Sequence, residues 1–223
     1  SGVIHRAEQR QDATIRSVAV KLFKGEMTSD GRPESEMAAC LAGGEHPHLI
    51  PLLGRVEGHP QASQGLVMAL VGTEFRSLAA PPSLDSCTRD IYPADSGWSA
   101  EIALELTSSM ASTLAHLHAR GVLHGDFYGH NILHDGSGRA LLGDFGAATL
   151  LSGLPAQLAA GLQKLEVRAF GCLLEELLER TASAAGDDPL LARLAALRDA
   201  CLDKLPANRP DFKTLVSVLT PLQ

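Results

Sequence analysis

The densest group of side chains that could do chemistry lies between residues 124 and 146. Asp126 and Asn131 are five residues apart, and Asp144 follows eighteen residues after Asp126. Glycines lie around all three, and glycine allows the tight turns that would bring two carboxylates and a carboxamide together. Mg²⁺ prefers oxygen ligands and usually takes one or two carboxylates together with substrate phosphates. A further carboxylate beside such a site can accept a proton from an attacking hydroxyl, so the pattern indicates phosphate and metal chemistry.

The segments that must position these side chains change in character along the chain. In the first third, apolar and β-branched runs at 17–23, 49–53 and 65–70 predict short strands, since turn residues separate them. Between the first two runs, the stretch from Pro33 to Ala42 predicts a helix, because a pair of glycines follows it as a stop signal. The front of the chain is therefore expected to be rich in β-structure.

The rest of the chain predicts helices after a long connection. Residues 74–99 contain several prolines, serines and aspartates and predict an irregular segment. Apolar residues then recur at helical spacing and predict a buried helix from Ala100 to Ala119. Three later apolar stripes, at 167–177, 191–201 and 212–219, predict further helices. A β-rich front and a helical back favour the α+β class with two lobes.

Composition and charge limit the classes of partner. The 223 residues are 45% hydrophobic and 20% charged, as expected of a globular chain with a real core. The net charge of −7 argues against a nucleic-acid partner, because phosphate contacts demand a basic face. No apolar run is long enough to cross a bilayer and no signal peptide opens the chain, so we expect a cytoplasmic protein without a membrane partner. The four cysteines have no metal or disulfide spacing and are expected to be small buried apolar residues.

Taken in order, the motifs resemble the catalytic core of eukaryotic-like protein kinases. The spacing His-x-Asp-x-x-x-x-Asn that starts at His124, followed by Asp-Phe-Gly at 144–146, is typical of that family. The segment 18–21, Val-Ala-Val-Lys, looks like its third strand, and Glu36 lies where the family keeps the partner of that lysine. Glu36 is favoured over Glu34 by its spacing to the His-Pro pair that follows. Other segments that resemble the family in the same order are 46–50, 66–68, 166–171 and 201–210.

The resemblance implies an α+β, protein-kinase-like bilobal fold as a single domain over residues 1–223. A small β-rich N-lobe is expected at 1–70, a hinge and connection at 69–99, and a larger helical C-lobe at 100–223. The chain is expected to be a compact, bacterial member of the family.

The resemblance also implies ATP and Mg²⁺ as cofactors and a role for each polar residue of the site. Lys21 would hold the α- and β-phosphates, and Glu36 would orient it. Asp126 would accept the proton of the substrate hydroxyl, while Asn131 and Asp144 would hold Mg²⁺. The residues expected around the nucleotide, with the methionine as gatekeeper, are Gly2, Ile4, Ala19, Lys21, Met68, Ala69, Leu70, Val71, Leu133 and Asp144.

Several positions depart from the family. Gly2 and Ile4 look like the tail of its glycine-rich loop, so the chain is expected to begin inside that loop, with the first strand absent or upstream. Gly125 replaces the usual arginine before Asp126, and without that cation a phosphorylation switch is not expected. The segment 144–166 is short and does not end in Ala-Pro-Glu.

The cation that the family places near the transferred phosphate is also missing from its usual positions. Tyr128 stands where serine/threonine kinases keep a lysine, and His130 stands where tyrosine kinases keep an arginine. His130 and Lys164 are the candidate replacements. The family's ion pair to a late arginine, here Arg209, is not expected, because the usual glutamate is missing.

The implied function is transfer of the ATP γ-phosphoryl group to a hydroxyl of a protein substrate, with Ser or Thr as the default acceptor and Tyr also open. His-Gly-Asp also begins this loop in aminoglycoside and choline phosphotransferases, so a small-molecule kinase is one alternative. A pseudokinase that serves as a binding or scaffold module is another, although the presence of Lys21, Asp126, Asn131 and Asp144 argues against it. Walker and Rossmann nucleotide sites have no support, because the chain contains neither a Gly-Lys pair nor Gly-x-Gly-x-x-Gly.

Overall fold

A four-stranded antiparallel sheet precedes a helical C-terminal part in the computed structural model, which describes residues 2–12, 14–25, 31–61, 63–86, 89–181 and 188–220. The sheet consists of β1 (Gly2–Gln11), β2 (Thr14–Phe23), β3 (Leu52–Arg55) and β4 (Gly65–Ala69), in the order β1-β2-β4-β3. This arrangement of a β-sheet region and a helical region confirms the predicted α+β class.

The register of the sheet places Lys21 at its centre. Lys21 lies opposite Ile4 of β1 and opposite Leu66 of β4, so a neighbouring strand pairs with β2 on each side. Successive side chains of a strand point to opposite faces, and Lys21 shares its face with the buried Phe23. A lysine in this strand is therefore directed into the molecule.

Helix α1 (Pro33–Gly43) packs against the sheet and carries the acidic partner of this lysine. The helix begins with a proline at its first turn, where the missing N–H is no loss. It ends at Gly43, and the backbone N–H of Gly44, at φ 64°, bonds to the carbonyl of Cys40. Glu36 lies in the first turn on the buried face.

The described residues of the C-terminal part form four α-helices, α2 (Ala100–Ala119), α3 (Ala156–Glu179), α4 (Pro189–Cys201) and α5 (Phe212–Leu219). Side chains of Ser99, Asp188 and Asp211 accept backbone N–H groups at the starts of α2, α4 and α5, as N-caps do. The apolar faces of these helices meet in one core, whose largest fully buried members include Leu106, Met110, Leu114, Leu117, Phe170, Leu174, Leu177 and Phe212.

Short strands between the helices support the loops of the candidate site. They are β5 (Arg76–Ser77), β6 (Val122–Leu123), β7 (Ile132–His134), β8 (Ala140–Leu142) and β9 (Thr149–Leu150). β5, β7 and β8 form one small sheet, and β6 pairs with β9. The loop that carries Asp126 therefore runs from β6 to β7, and Asp144 follows β8.

The elements differ from the prediction in several places. β3 begins at Leu52, although a strand was predicted at 49–53, because Leu49 makes only an isolated bridge to Leu142. β1 is a full strand that the sequence did not predict, because its side chains are mostly exposed and lack an apolar alternation. α3 begins at Ala156, well before the apolar stripe at 167. Its first turns were not predicted, because they are largely exposed and carry no apolar stripe. The connection 74–99 is not wholly irregular, since it contains β5 and a backbone bridge between Ala80 and Ile91.

Two further expectations can be compared with the described residues. No helix among them is long and apolar enough to cross a membrane. Cys201 is buried as expected, whereas Cys40 and Cys172 are only partly buried, and Cys87 lies outside the described residues.

Candidate active site

The centre of the candidate site is a lysine held between two carboxylates. Lys21 Nζ donates a hydrogen bond to Glu36 Oε1 over 2.6 Å and another to Asp144 Oδ1 over 2.9 Å. Lys21 and Glu36 are only 5% and 4% exposed, whereas the Asp144 side chain is 44% exposed. The neighbouring Glu34 instead accepts a bond from Gln64 on the surface. Of the two glutamates weighed from the sequence, the structure thus places Glu36 against the lysine.

The chain reaches Asp144 in an unusual backbone conformation. Asp144 has φ 48°, in the left-handed region that few residues other than glycine, asparagine and aspartate adopt. The backbone N–H of Gly146 donates to Asp144 Oδ1 over 3.2 Å, a local bond typical of aspartate in turns. This turn directs the carboxylate toward Lys21 immediately after β8.

The electrostatics of the site favour the charged form of both Lys21 and Asp144. Burial alone would lower the pKa of Lys21, but its hydrogen bonds to Glu36 and Asp144 outweigh this and raise the pKa. Burial would likewise raise the pKa of Asp144, yet the hydrogen bond and charge of Lys21 lower it below its ordinary value. A fixed cation therefore faces the cavity beside a carboxylate that stays ionised.

The second part of the site is the loop that joins β6 to β7. Asn131 Nδ2 donates to the Asp126 carbonyl over 2.8 Å and to Asp126 Oδ2 over 2.9 Å. A short 3₁₀ turn at Gly129–Asn131 brings the two side chains together. Because its amide nitrogen is engaged, Asn131 keeps its amide oxygen as an acceptor. Asn131 and Asp144 each carry a side-chain oxygen, which is the kind of ligand that Mg²⁺ prefers, and their joint binding of the ion stays a prediction.

A buried network of hydrogen bonds supports the loop that carries Asp126. His124 is fully buried, and its Nε2 donates to the carbonyl of Gly143 over 2.8 Å. The backbone N–H of Gly125 donates to Glu166 Oε1 over 2.8 Å, and His118 Nε2 lies 2.7 Å from Glu166 Oε2. The network ties the Asp126 loop to the segment before Asp144 and to α3, so the two acidic residues are positioned by a common support.

A cavity of about 190 Å³ lies beside Lys21 between the sheet, α1 and β8. Five of the predicted nucleotide residues line it, and they are Gly2, Ile4, Lys21, Met68 and Asp144. The other five do not line it, and they are Ala19, Ala69, Leu70, Val71 and Leu133. Their contact with the nucleotide stays a prediction.

The sequence did not predict the residues at the rear of this cavity. They lie on α1, β3, β4 and β8 and in the segments after α1, before β3 and after β8, and they are Cys40, Gly44, Leu49, Ile50, Leu52, Leu66, Leu142, Gly143 and Phe145. Most are apolar residues of segments that were predicted only as packing. Their alternation along the strands could have marked one face as facing inward, but not as facing a cavity. Glu36, which was predicted as the partner of Lys21, lines the cavity as well.

Lys164 is engaged away from the Asp126 loop. Its Nζ donates to the carbonyl of Arg209, and Arg209 Nη1 donates back to the carbonyl of Lys164 over 2.9 Å. Arg209 also donates to the carbonyl of Asp203 over 2.9 Å and is 6% exposed. This reciprocal contact holds α3 to the segment before α5, so it argues against Lys164 as a replacement cation at the site.

Comparisons with known proteins agree with this geometry. A family model described as a protein kinase domain matches residues 1–165. The serine/threonine-protein kinase PkaB of Streptomyces coelicolor is 35% identical over 147 residues, which cover 60% of this chain and 31% of that protein. The serine/threonine-protein kinase PrkC of Bacillus subtilis is 26% identical over 189 residues, which cover 73% and 26%. The serine/threonine-protein kinase PITSLRE of Drosophila melanogaster is 28% identical over 149 residues, which cover 66% and 14%. The chain spans less than a third of the length of these relatives.

Proposed function

The chain belongs to the protein kinase family, and on this basis we propose that it transfers the γ-phosphoryl group of ATP to a hydroxyl of a protein, with Mg²⁺. The observation that carries the proposal is the buried bond from Lys21 to Glu36, made while Lys21 also reaches Asp144. Glu36 and Asp144 lie 15 and 123 residues from Lys21 in the sequence. The two carboxylates keep the buried lysine charged, and because Lys21 also lines the cavity, its ammonium group can contact a ligand that carries negative charge.

Each polar residue of the site then has one task in the transfer. Lys21 binds the α- and β-phosphates, and Glu36 keeps its ammonium group in place. Asn131 and Asp144 hold Mg²⁺, which when bound supplies positive charge beside the phosphates. Asp126 accepts the proton of the attacking hydroxyl as the new oxygen–phosphorus bond forms and the bond to the leaving ADP breaks.

The acceptor that we propose is serine or threonine. Support comes from the relatives, since PkaB, PrkC and PITSLRE are all named serine/threonine-protein kinases. We also propose that the domain needs no phosphorylation to assemble its site. The Lys21–Glu36 pair is already formed, and Gly125 offers no cation to receive a phosphate. The cytoplasmic location expected from the sequence stays a prediction.

The test is a transfer assay with γ-labelled ATP and Mg²⁺ on the wild-type protein, the Asp144→Asn variant and a matched Asp199→Asn control. Asp199 lies on α4, where it pairs with its neighbour Arg198 away from the cavity. We expect label on serine or threonine after acid hydrolysis, little transfer by Asp144→Asn, and normal transfer by Asp199→Asn. Binding of ATP without transfer would instead identify a pseudokinase, and label on an aminoglycoside alone would identify a small-molecule kinase.

A further inference from the structure

A buried carboxylate outside the recognised motifs holds the residue next to Asn131. Asp90 lies in the connection before α2, and its side chain is completely buried. Its Oδ1 lies 2.6 Å from His130 Nδ1, and its Oδ2 accepts the backbone N–H of His130 over 3.1 Å. One carboxylate therefore binds both the ring and the backbone of the same residue.

The surroundings hold Asp90 firmly in place. The adjacent Ile91 exchanges two backbone bonds with Ala80, of 2.8 and 2.9 Å. Gly129 allows the close approach of the loop, because a Cβ at this position would lie 2.7 Å from the Tyr92 hydroxyl and 3.0 Å from Asp90 Oδ2. On the other side, Ser77 Oγ donates to the carbonyl of His130 over 3.0 Å. Residues of the connection thus contact both the ring and the backbone of His130.

The bond to Asp90 fixes which way the His130 ring points. With Nδ1 against Asp90, the opposite nitrogen Nε2 faces Asp126 Oδ2 at 3.9 Å. The Tyr128 ring stacks on the His130 ring, with centroids 5.6 Å apart and planes inclined by 20°. The described charged or titratable groups that face the ring are thus Asp90, Asp126 and Tyr128.

The distance between Nε2 and Asp126 Oδ2 has a chemical consequence. It is too long for a direct hydrogen bond. A single hydroxyl could, however, lie between these two acceptors and share its one hydrogen with both, as in a three-centre bond. The two side chains together therefore mark a position for the acceptor oxygen.

We propose that Asp90 is a positioning residue for phosphoryl transfer, because it orients His130 so that Nε2 and Asp126 together seat the acceptor hydroxyl. This inference rests on the proposed function. His130 would touch the acceptor, whereas Asp90 would act only through His130. In the same way, the carboxylate of a catalytic triad holds its histidine in one tautomer and orientation.

The first experiment is a double-mutant cycle in kcat with Asp90→Asn, His130→Ala and the double variant. A carboxylate can accept two hydrogen bonds from His130, whereas a carboxamide keeps one acceptor oxygen and turns an N–H group toward the ring. Asp90→Asn therefore keeps the backbone bond and disturbs the ring alone. Misplacement of reacting groups by about 1 Å can cost 10²-fold. We expect His130→Ala to lower kcat by about 10- to 100-fold and Asp90→Asn by about 10-fold, with the KM for ATP nearly unchanged.

The cycle separates positioning from packing. If Asp90 acts through His130, then Asp90→Asn has no further effect on kcat in the His130→Ala background. A matched control is Tyr92→Phe, which removes a 3.0 Å bond to Glu176 from the same connection but no bond to His130. We expect it to lower stability without lowering kcat. Additive effects in the cycle, or an equal loss of kcat in Tyr92→Phe, would overturn the proposal.

The second experiment needs no activity. Nitrogen NMR of histidine-labelled protein without nucleotide should show a hydrogen on Nδ1 of His130 in the wild type and its loss in Asp90→Asn. A wild-type Nδ1 without a hydrogen would overturn the proposal even if the variant fails to fold. A wild-type protein with this NMR signature but no transferase activity would instead refute the proposed function and the seating of an acceptor, while the hold of Asp90 on the ring would stand.

Discussion

Replacing Gly125 with alanine tests why the loop lacks the arginine that related kinases have before the aspartate. Gly125 has φ 80°, a conformation that other residues rarely adopt. A Cβ at this position would lie 2.4 Å from the carbonyl oxygen of Ala147, whereas real Cβ contacts stay above 3.0 Å. The two backbone segments must therefore separate by about 0.6 Å, the difference between those two distances. Asp126 is the next residue, so this movement reaches the proposed proton acceptor directly.

The structure contains a control for the conformational part of this cost. Gly121 has φ 71°, but a Cβ there would have no atom within 4 Å. Gly121→Ala should therefore lose only the left-handed strain, about 1–2 kcal/mol. Gly125→Ala should lose a further 1–3 kcal/mol or so through steric overlap. The same shift should lower kcat by about 10-fold or more, since 1 Å of misplacement can cost about 10²-fold.

Urea unfolding followed by circular dichroism gives the stability of both variants, and the transfer assay gives kcat. The expected result is a lower midpoint for Gly125→Ala than for Gly121→Ala, with a loss of kcat in Gly125→Ala alone. Equal midpoints and equal kcat values would refute the reasoning, because the overlap with Ala147 would then have no effect on the loop.

Three further predictions follow from the site. Glu36→Gln should lower the free energy of unfolding by about 1–3 kcal/mol, since it weakens a buried bond to a charged group, and should raise the Kd for ATP. Glu34→Gln on the same helix turn should do neither; calorimetry measures both quantities, and identical results for the two variants would contradict this prediction. The pKa of Asp144 is lowered in the folded state, so its charge should add stability above about pH 4, and this stability should be lost as the pH falls through the folded pKa. The urea midpoints of wild type and Asp144→Asn should therefore converge in acid, and a constant difference from pH 7 to 2 would refute this. Burial raises the pKa of the Cys40 thiol to about 12, so at pH 8 iodoacetamide should label Cys40 in urea but not in the folded protein. Peptide mass spectrometry measures the labelling, and rapid labelling of the folded protein would contradict this prediction.

Residues with a strong local pattern were predictable from the sequence. The apolar spacing gave α2 the bounds Ala100–Ala119 that the structure has, because one face of this helix lies in the core. β2 and β4 were also predicted, since both carry buried apolar side chains. The choice of Glu36 over Glu34 used the spacing that the family resemblance implies, and the structure places Glu36 beside Lys21.

Residues whose importance depends on distant partners were not predictable in this way. Asp90 lies in a segment without periodicity, and its partner is forty residues away. Glu166 was predicted only as part of the segment 166–171 that resembles the family. Its bonds to the Gly125 backbone and to His118 were not predicted, because they join three separate elements. Lys164 looked available as a cation until the fold brought it to the carbonyl of Arg209. Such contacts arise from tertiary packing, which local spacing does not encode.

We propose that Asp126 serves the transfer step and not the binding of ATP. Asp126 bonds to Asn131, whereas the bonds of Lys21 go to Glu36 and Asp144. The most direct test measures the transfer rate and the Kd for Mg²⁺·ATP in the wild type and in Asp126→Asn. We predict a loss of transfer of about 10²- to 10⁴-fold with a Kd that stays within about threefold. Transfer by Asp126→Asn at the wild-type rate, or no transfer by the wild type, would contradict the account.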